Sequence, residues 1–306
     1  MSGYHSGVIV LRLFPTSRVA LAMLIGMLAG LPTLAASLAD PRLDETSGIA
    51  ASQHNPQITW AINDSGHGPE LYAVGHNGAR RGVVRVVGTA NVDWEDLDSF
   101  SIEGQPYLLI ADTGDNASQR RYSRLIIVAE PEPDERGLYA GVVKPVLVIP
   151  FVFEDGPRDC EAVAVSTRDR QIILLAKRSV PAPIYTLPLS LEPMPGKILT
   201  AVRRGTVNGL RTISTRELLE APLGPWRHQP TALTLNEERG ELALMTYQNL
   251  YVYTRADERD WVETLTSRIP QVSAVELSQY ESITWQDGGW LTIPEGRNAP
   301  LLRLGR

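Results

Sequence analysis

One cysteine, Cys160, occurs in 306 residues. An internal disulfide is excluded, and no cysteine follows the apolar N-terminal segment to carry a lipid. With only five histidines and no His/Cys cluster, zinc is a poor fit. The Gly-x-Ser-x-Gly turn of serine hydrolases is absent. No basic run occurs, and the formal net charge is −6. Nucleic acid and anionic membrane surfaces are therefore poor partners. Beyond residue 39 no segment is apolar enough to span a bilayer, and helical patterns are scarce.

Acidic residues are also missing from the first 39 positions. Arg12 and Arg18 precede an apolar run over residues 19–31, Pro32 breaks it, and small residues follow. This order predicts a secretory signal peptide, cleaved after Ala35 or Ala39. An uncleaved anchor is the rival reading, since residues 19–39 have about the length of a membrane span. Cleavage leaves a domain over residues 36–306, periplasmic or secreted and off the membrane. Loss of Arg12 and Arg18 leaves 27 basic against 35 acidic residues, a net charge of −8. Some 270 residues bury a large core without disulfides.

What fills this domain is short β-branched runs bounded by Gly, Pro, Asn and Asp, the pattern of strands and turns. Five hairpins align: residues 47–50 with 58–62, 95–97 with 107–110, 161–165 with 172–175, 231–235 with 242–245, and 281–285 with 290–293. Two further strand-like runs follow each of the first four, including 262–265 as the last of the fourth unit. The fifth unit has only 301–304. Four strands per unit predict an all-β, five-bladed β-propeller, closed by a strand from near residues 38–43. A six-bladed ring or a sandwich is the alternative. One helix is expected over residues 214–220.

The alignment puts a polar residue at the start of every first strand: Ser47, Glu95, Glu161, Thr231 and Glu281. In a propeller these surround one mouth of the central channel. Three facing carboxylates repel and call for a neutralising cation, protons or water. Calcium, which takes six to eight oxygens, fits such a ring better than magnesium. The bland alternative is that these residues cap strands and hold water.

The ends of the second strands reach the same mouth. They carry Asn63 and Asp64, Asp112, Asp115 and Asn116, Lys177 and Arg178, Thr246, Tyr247 and Gln248, and Glu295 and Arg297. The cations suit phosphate oxygens, and Asp64, Asp112 or Asp115 suit positioning of water. Turn chemistry alone also accounts for Asn, Asp and Gly here.

The order Ser, Glu, Glu, Thr, Glu resembles the central calcium ring of the calcium-activated nucleotidase (apyrase) family of five-bladed propellers. The matching islands are Thr46-Ser47-Gly48-Ile49, Asp93-Trp94-Glu95, Cys160-Glu161-Ala162-Val163, Pro230-Thr231-Ala232-Leu233 and the stretch from Glu281 to Trp285. Asn63-Asp64-Ser65-Gly66 and Lys177-Arg178 resemble that family's acidic turn and basic pair. The loops after Ile110 and Ile293 depart from its pattern. A looser likeness extends to phytase-like and gluconolactonase-like exported propellers. The resemblance implies a calcium-bound monomer hydrolysing a small anionic phosphate ester or anhydride. Asp64, Asp112 and Asp115 would be catalytic. Asn63, Asn116, Lys177, Arg178, Glu295 and Arg297 would contact substrate. Two rivals stand beside it: a non-catalytic binding propeller with structural calcium, and a lactone or ester hydrolase.

Overall fold

The computed structural model describes Met1, Gly3 and residues 36–219, 224–256, 258–275 and 279–304. The expected signal peptide lies almost wholly outside the described residues. Among the described residues no helix is long and apolar enough to cross a membrane.

Hairpins build the domain. The first unit holds β1 (Thr46–Ala51), β2 (Ile58–Asn63), β3 (Glu70–Gly75) and β4 (Arg80–Val86). The second holds β5 (Trp94–Ile102), β6 (Gln105–Asp112) and β7 (Ser123–Ala129), then β8 (Val142–Val143), which pairs with β4 of the first unit, and β9 (Pro145–Phe153), which completes the second. The third holds β10 (Cys160–Ser166), β11 (Gln171–Ala176), β12 (Pro183–Pro188) and β13 (Leu199–Thr206). The fourth holds β14 (Pro230–Asn236), β15 (Glu241–Thr246), β16 (Asn249–Thr254) and β17 (Gln271–Ala274). The fifth holds β18 (Thr284–Gln286), β19 (Gly289–Thr292) and β20 (Leu302–Leu304). Within each unit neighbouring strands run antiparallel, while β4 with β8 and β13 with β9 pair in parallel. Two hairpins turn through two residues, Glu103-Gly104 and Asp287-Gly288, all four at positive φ. That is the turn whose twist matches the flanking strands.

The first strands meet in a cycle: β1 with β5, β5 with β10, β10 with β14, β14 with β18, and β18 with β1. Five apolar clusters fill the seams between successive units. Trp60, Leu108 and Ile126 belong to the first, where Trp60 meets Tyr139 edge to face at 4.9 Å. Phe151, Leu174 and Tyr185 belong to the second, and Leu175, Leu233 and Trp261 to the third. Met245, Tyr280 and Ile283 belong to the fourth, and Leu38, Leu43, Ile49 and Ile293 to the last. Radially repeated antiparallel sheets around a channel are the β-propeller architecture. The inner strands are packed too closely for bulk: a Cβ on Gly48 would sit 2.5 Å from the Leu97 nitrogen.

Closure comes from the N-terminal side of the domain. Leu38 N donates to Ala299 O at 2.9 Å, Leu301 N donates to Ala36 O at 2.8 Å, and Ser37 bridges Pro300. The pairing segment is thus residues 36–38, slightly before the expected 38–43. Leu38 and Leu43 are buried behind it.

Two local expectations change. Residues 262–265 are not a strand but part of helix α2 (Trp261–Ser267), preceded in the chain by α1 (Thr215–Leu218). Asp260 caps α2 by accepting the Glu263 N–H, and Trp261, Val262, Thr264 and Leu265 face inward at helical spacing. The short apolar run fitted either period. The outer strand of the fourth unit is β17 instead. The helix expected over 214–220 is α1, capped by Ser214 with Glu217 in a reciprocal capping box; Glu220 lies outside the described residues.

Candidate functional site

A one-residue register shift opens each inner hairpin. Thr46 pairs with Asn63 and Gly48 with Ile62, leaving Ser47 as the extra residue. The same shift isolates Glu95, Glu161 and Thr231. In the fifth unit it falls between Tyr280 and Thr284, the stretch containing Glu281. A bulge re-aims the extra side chain out of the pleat. The repeat turns the ring residues toward one end of the channel.

The ring hydroxyls have structural partners. Ser47 Oγ donates to Trp94 O at 2.8 Å, and Thr231 Oγ1 to Tyr280 O at 2.6 Å. Each ties one unit to the carbonyl just before the ring residue of the next. Thr113 Oγ1 does the same to Cys160 O at 2.6 Å.

The carboxylates converge. One oxygen each of Asp64, Asp93 and Glu95 lies within 4.8 Å of the others, and so does one each of Glu95, Asp159 and Glu161. Glu95 belongs to both triads, is 6% exposed, and receives no hydrogen bond from the described residues. Gly114 makes room for it: a Cβ there would lie 2.1 Å from Glu95 Oε1 and 2.5 Å from the Asp93 carboxylate carbon. Burial, followed by the charges of Glu161, Asp64 and Glu281, pushes the Glu95 carboxyl well above its ordinary range. Burial and the neighbouring Asp64 push Asp93 up to about 6. Asp64 is raised as well, chiefly by burial.

A cation of the protein's own occupies the other side of this mouth. Lys177 Nζ donates to Glu161 and, at 2.9 Å, to the Tyr247 hydroxyl, which donates to Glu281 Oε1 at 2.7 Å. Burial works against the Lys177 charge, but Glu161 and Glu281 outweigh it and hold the ammonium protonated. Glu161 rises to about 8, because burial and the charges of Glu281 and Asp159 exceed the relief from Lys177. Glu281 also rises to about 8, through burial and its hydrogen bond with Glu295. Arg178 Nε pairs with Asp159 Oδ2 at 2.5 Å, its guanidinium reaches Asn116, and it stacks 4.6 Å over Trp226.

The side chains of the remaining expected residues are engaged outside the triads, although the Asp115 N–H donates to Asp159 Oδ1 at 2.9 Å. Asp112 is fully buried, pairs with Arg120 at 2.9 Å and with Arg124, and accepts the Asp93 N–H at 3.2 Å. Asp115 accepts the Gln119 and Arg120 N–H groups at 2.8 Å each, holding its own loop. Asn63 Nδ2 donates to Arg42 O at 2.6 Å. Arg297 is 75% exposed beside Asp44. Asp93 and Asp159 were not expected, although both precede a ring glutamate in the same Asp-x-Glu spacing. Tyr247 was expected at this mouth as the end of a second strand, though with no role assigned to it, and its hydroxyl links Lys177 to Glu281.

Nothing among known protein families or curated proteins matches the chain. Solved structures do. The Malassezia sympodialis allergen Mala s 1 superposes with a TM-score of 0.52 at 9% identity, over 89% of this chain and 95% of that one. A PQQ-bound aldose sugar dehydrogenase from Streptomyces coelicolor gives 0.49 at 13% identity, over 89% and 96%. The β-propeller domain of Cps50 (Swd1) from Myceliophteria thermophila gives 0.39 at 11%, over 85% and 84%. At such identities likeness speaks for the fold alone, and none of these proteins is a calcium-activated nucleotidase by name.

Proposed function

We propose that this protein is an exported five-bladed propeller that binds a divalent cation, calcium by preference, at the acidic mouth, and there hydrolyses a small phosphate ester or anhydride. The observation that carries it is Glu95: a buried carboxylate without a hydrogen-bond donor, shared by two carboxylate triads, in a space that Gly114 keeps open. The donor set is all oxygen, as hard cations require. Asp64, Asp93, Glu95, Asp159 and Glu161 would hold the ion, with Glu281 at the margin. When bound, the cation supplies Lewis-acid polarisation of a phosphoryl oxygen.

The chain's own groups do the rest. Asp64 and Asp93, the outer carboxylates of the first triad, would hold the ion from the loop side and position the attacking water beside it. Lys177 fixes Glu161, and Arg178 fixes Asp159. Asp112 acts through Arg120 and Arg124 on the loop that carries Gly114, so its role is support.

A second reading, a non-catalytic binding propeller with structural cation, is favoured by one fact: Lys177 and Arg178 are both already ion-paired. One experiment sorts the readings. The domain from residue 36 is melted in chelator, in calcium and in magnesium, then assayed for phosphate release from nucleoside diphosphates and phosphomonoesters. A calcium-specific rise in Tm with turnover, both lost in Glu95→Gln, supports the hydrolase. A rise without turnover supports the binding module. A flat melt removes both.

A further inference from the structure

The channel has a second mouth, where the inner strands end. There it opens into a cavity of about 370 Å³ to which all five units contribute, a size in the range of small-ligand sites. Ala51 comes from the first unit, Asp98 from the second, Thr167 from the third, Thr234 from the fourth and Trp285 from the fifth. We propose that this lower mouth binds a small neutral polyhydroxylated ligand, a monosaccharide or polyol. The proposal is independent of the acidic mouth.

The chemistry of the lining selects the ligand. Hydroxyls of Ser99, Ser101, Thr167, Thr234 and Thr284 and the amides of Gln53 and Asn236 ring the space, and no Lys or Arg lines it. An anion therefore finds no counter-charge. Three acidic residues line it, Asp98, Glu237 and Glu238, and the first two are already engaged. Glu237 accepts from Ser166 Oγ at 2.7 Å, from Thr167 Oγ1 at 2.8 Å and from the Arg168 N–H. Asp98, itself 6% exposed, accepts the Val165 N–H at 2.7 Å and the Ser99 N–H at 2.9 Å. Burial also raises its carboxyl to about 7, which weakens any pull on an organic cation. Carboxylate oxygens fixed by backbone N–H groups keep a lone pair each for a ligand hydroxyl.

Thr234 points to an occupant. It is 3% exposed, lines the cavity, and its hydroxyl has no hydrogen-bond partner among the described residues. A hydroxyl with no protein partner that opens onto the cavity is completed by whatever fills it, a ligand hydroxyl or water. The Thr284 hydroxyl accepts the Ala51 N–H at 3.0 Å and has its proton to give. Trp285 and Phe100 supply apolar faces of the kind that cover the C–H face of a sugar ring. Alternating donors and acceptors against an aromatic wall match a polyol and suit neither a phosphate nor an aliphatic chain.

The test is a ligand-observed NMR and melting titration of the domain from residue 36 with D-glucose, D-galactose, D-mannitol and myo-inositol. Inorganic phosphate and putrescine serve as charged controls, and every titration is run in calcium and in chelator. The expected result is saturable binding of at least one polyol in both conditions. Affinity should fall about tenfold in Thr234→Val, equivalent to ~1.4 kcal/mol, and be abolished in Ser101→Trp, which fills the cavity from an exposed rim position. Absence of polyol binding overturns the proposal. So does binding that both variants retain in full, or putrescine binding in place of any polyol.

Discussion

The Tyr247 hydroxyl donates to Glu281 at 2.7 Å while accepting a hydrogen bond from Lys177 Nζ at 2.9 Å. It is the link that lets one buried ammonium serve two ring glutamates, since Lys177 itself touches only Glu161. In Lys177→Met the mouth loses its internal cation and keeps its carboxylates. Leaving a buried charge without its partner costs about 3–5 kcal/mol. Urea unfolding in chelator at pH 8 should show that loss, and calcium should restore part of it. A variant as stable as the wild type would mean that protons, not Lys177, already neutralise the ring.

Stability should fall with rising pH when no divalent cation is present. Glu161 and Glu281 titrate near 8 and Asp93 near 6 in the folded protein, against roughly 4 in an unfolded chain. Between those limits the folded state binds more protons than the unfolded state, so stability declines as pH rises. It is fully present below about pH 4 and lost through pH 8. Tm measured in chelator across this window checks the sign; a Tm that climbs from pH 5 to 8 would contradict the assigned shifts.

Gly114→Ala should uncouple metal from fold. The added methyl would fall within contact of both Glu95 and Asp93, so the carboxylates must part. Calcium affinity, read by titration calorimetry, should drop tenfold or more while chelator-state unfolding changes little. Equal affinity would show that the ion does not sit between Glu95 and Asp93.

Asp96 is a seam rather than a site. Its Oδ2 accepts the N–H groups of Val163 at 2.8 Å and Leu233 at 3.1 Å, from the third and fourth units, and its Oδ1 accepts Leu97 at 2.9 Å. Asp96→Ala strands three buried amides, each worth about 1–3 kcal/mol. Soluble expression should collapse or the urea midpoint fall sharply. A midpoint near that of the wild type would mean that water takes over these donors.

Much of the fold is written locally. Period-two alternation, the Glu-Gly and Asp-Gly turns and the five repeated hairpins depend only on residues a few positions apart, and they suffice for an all-β repeat. The failures are local as well: the short run 262–265 carries no length or turn signal to separate strand from helix, and the Asp260 cap decides it.

The acidic mouth was legible as a set of positions, because the hairpin repeat places Glu95, Glu161 and Glu281 in equivalent places. Which side chains meet there was decided by ring closure. A one-residue bulge turns each ring residue inward, and only when neighbouring units close do Asp64 and Asp159 join Asp93 and Glu95. Lys177 meets Glu161, and Asp112 meets Arg120 and Arg124, within their own units, through pairing of neighbouring strands. Sequence sets the periodicity of each strand, since strand geometry is local. Charges that meet across a seam, such as Asp159 beside Glu95, come from different units tens of residues apart, and no local pattern encodes that approach.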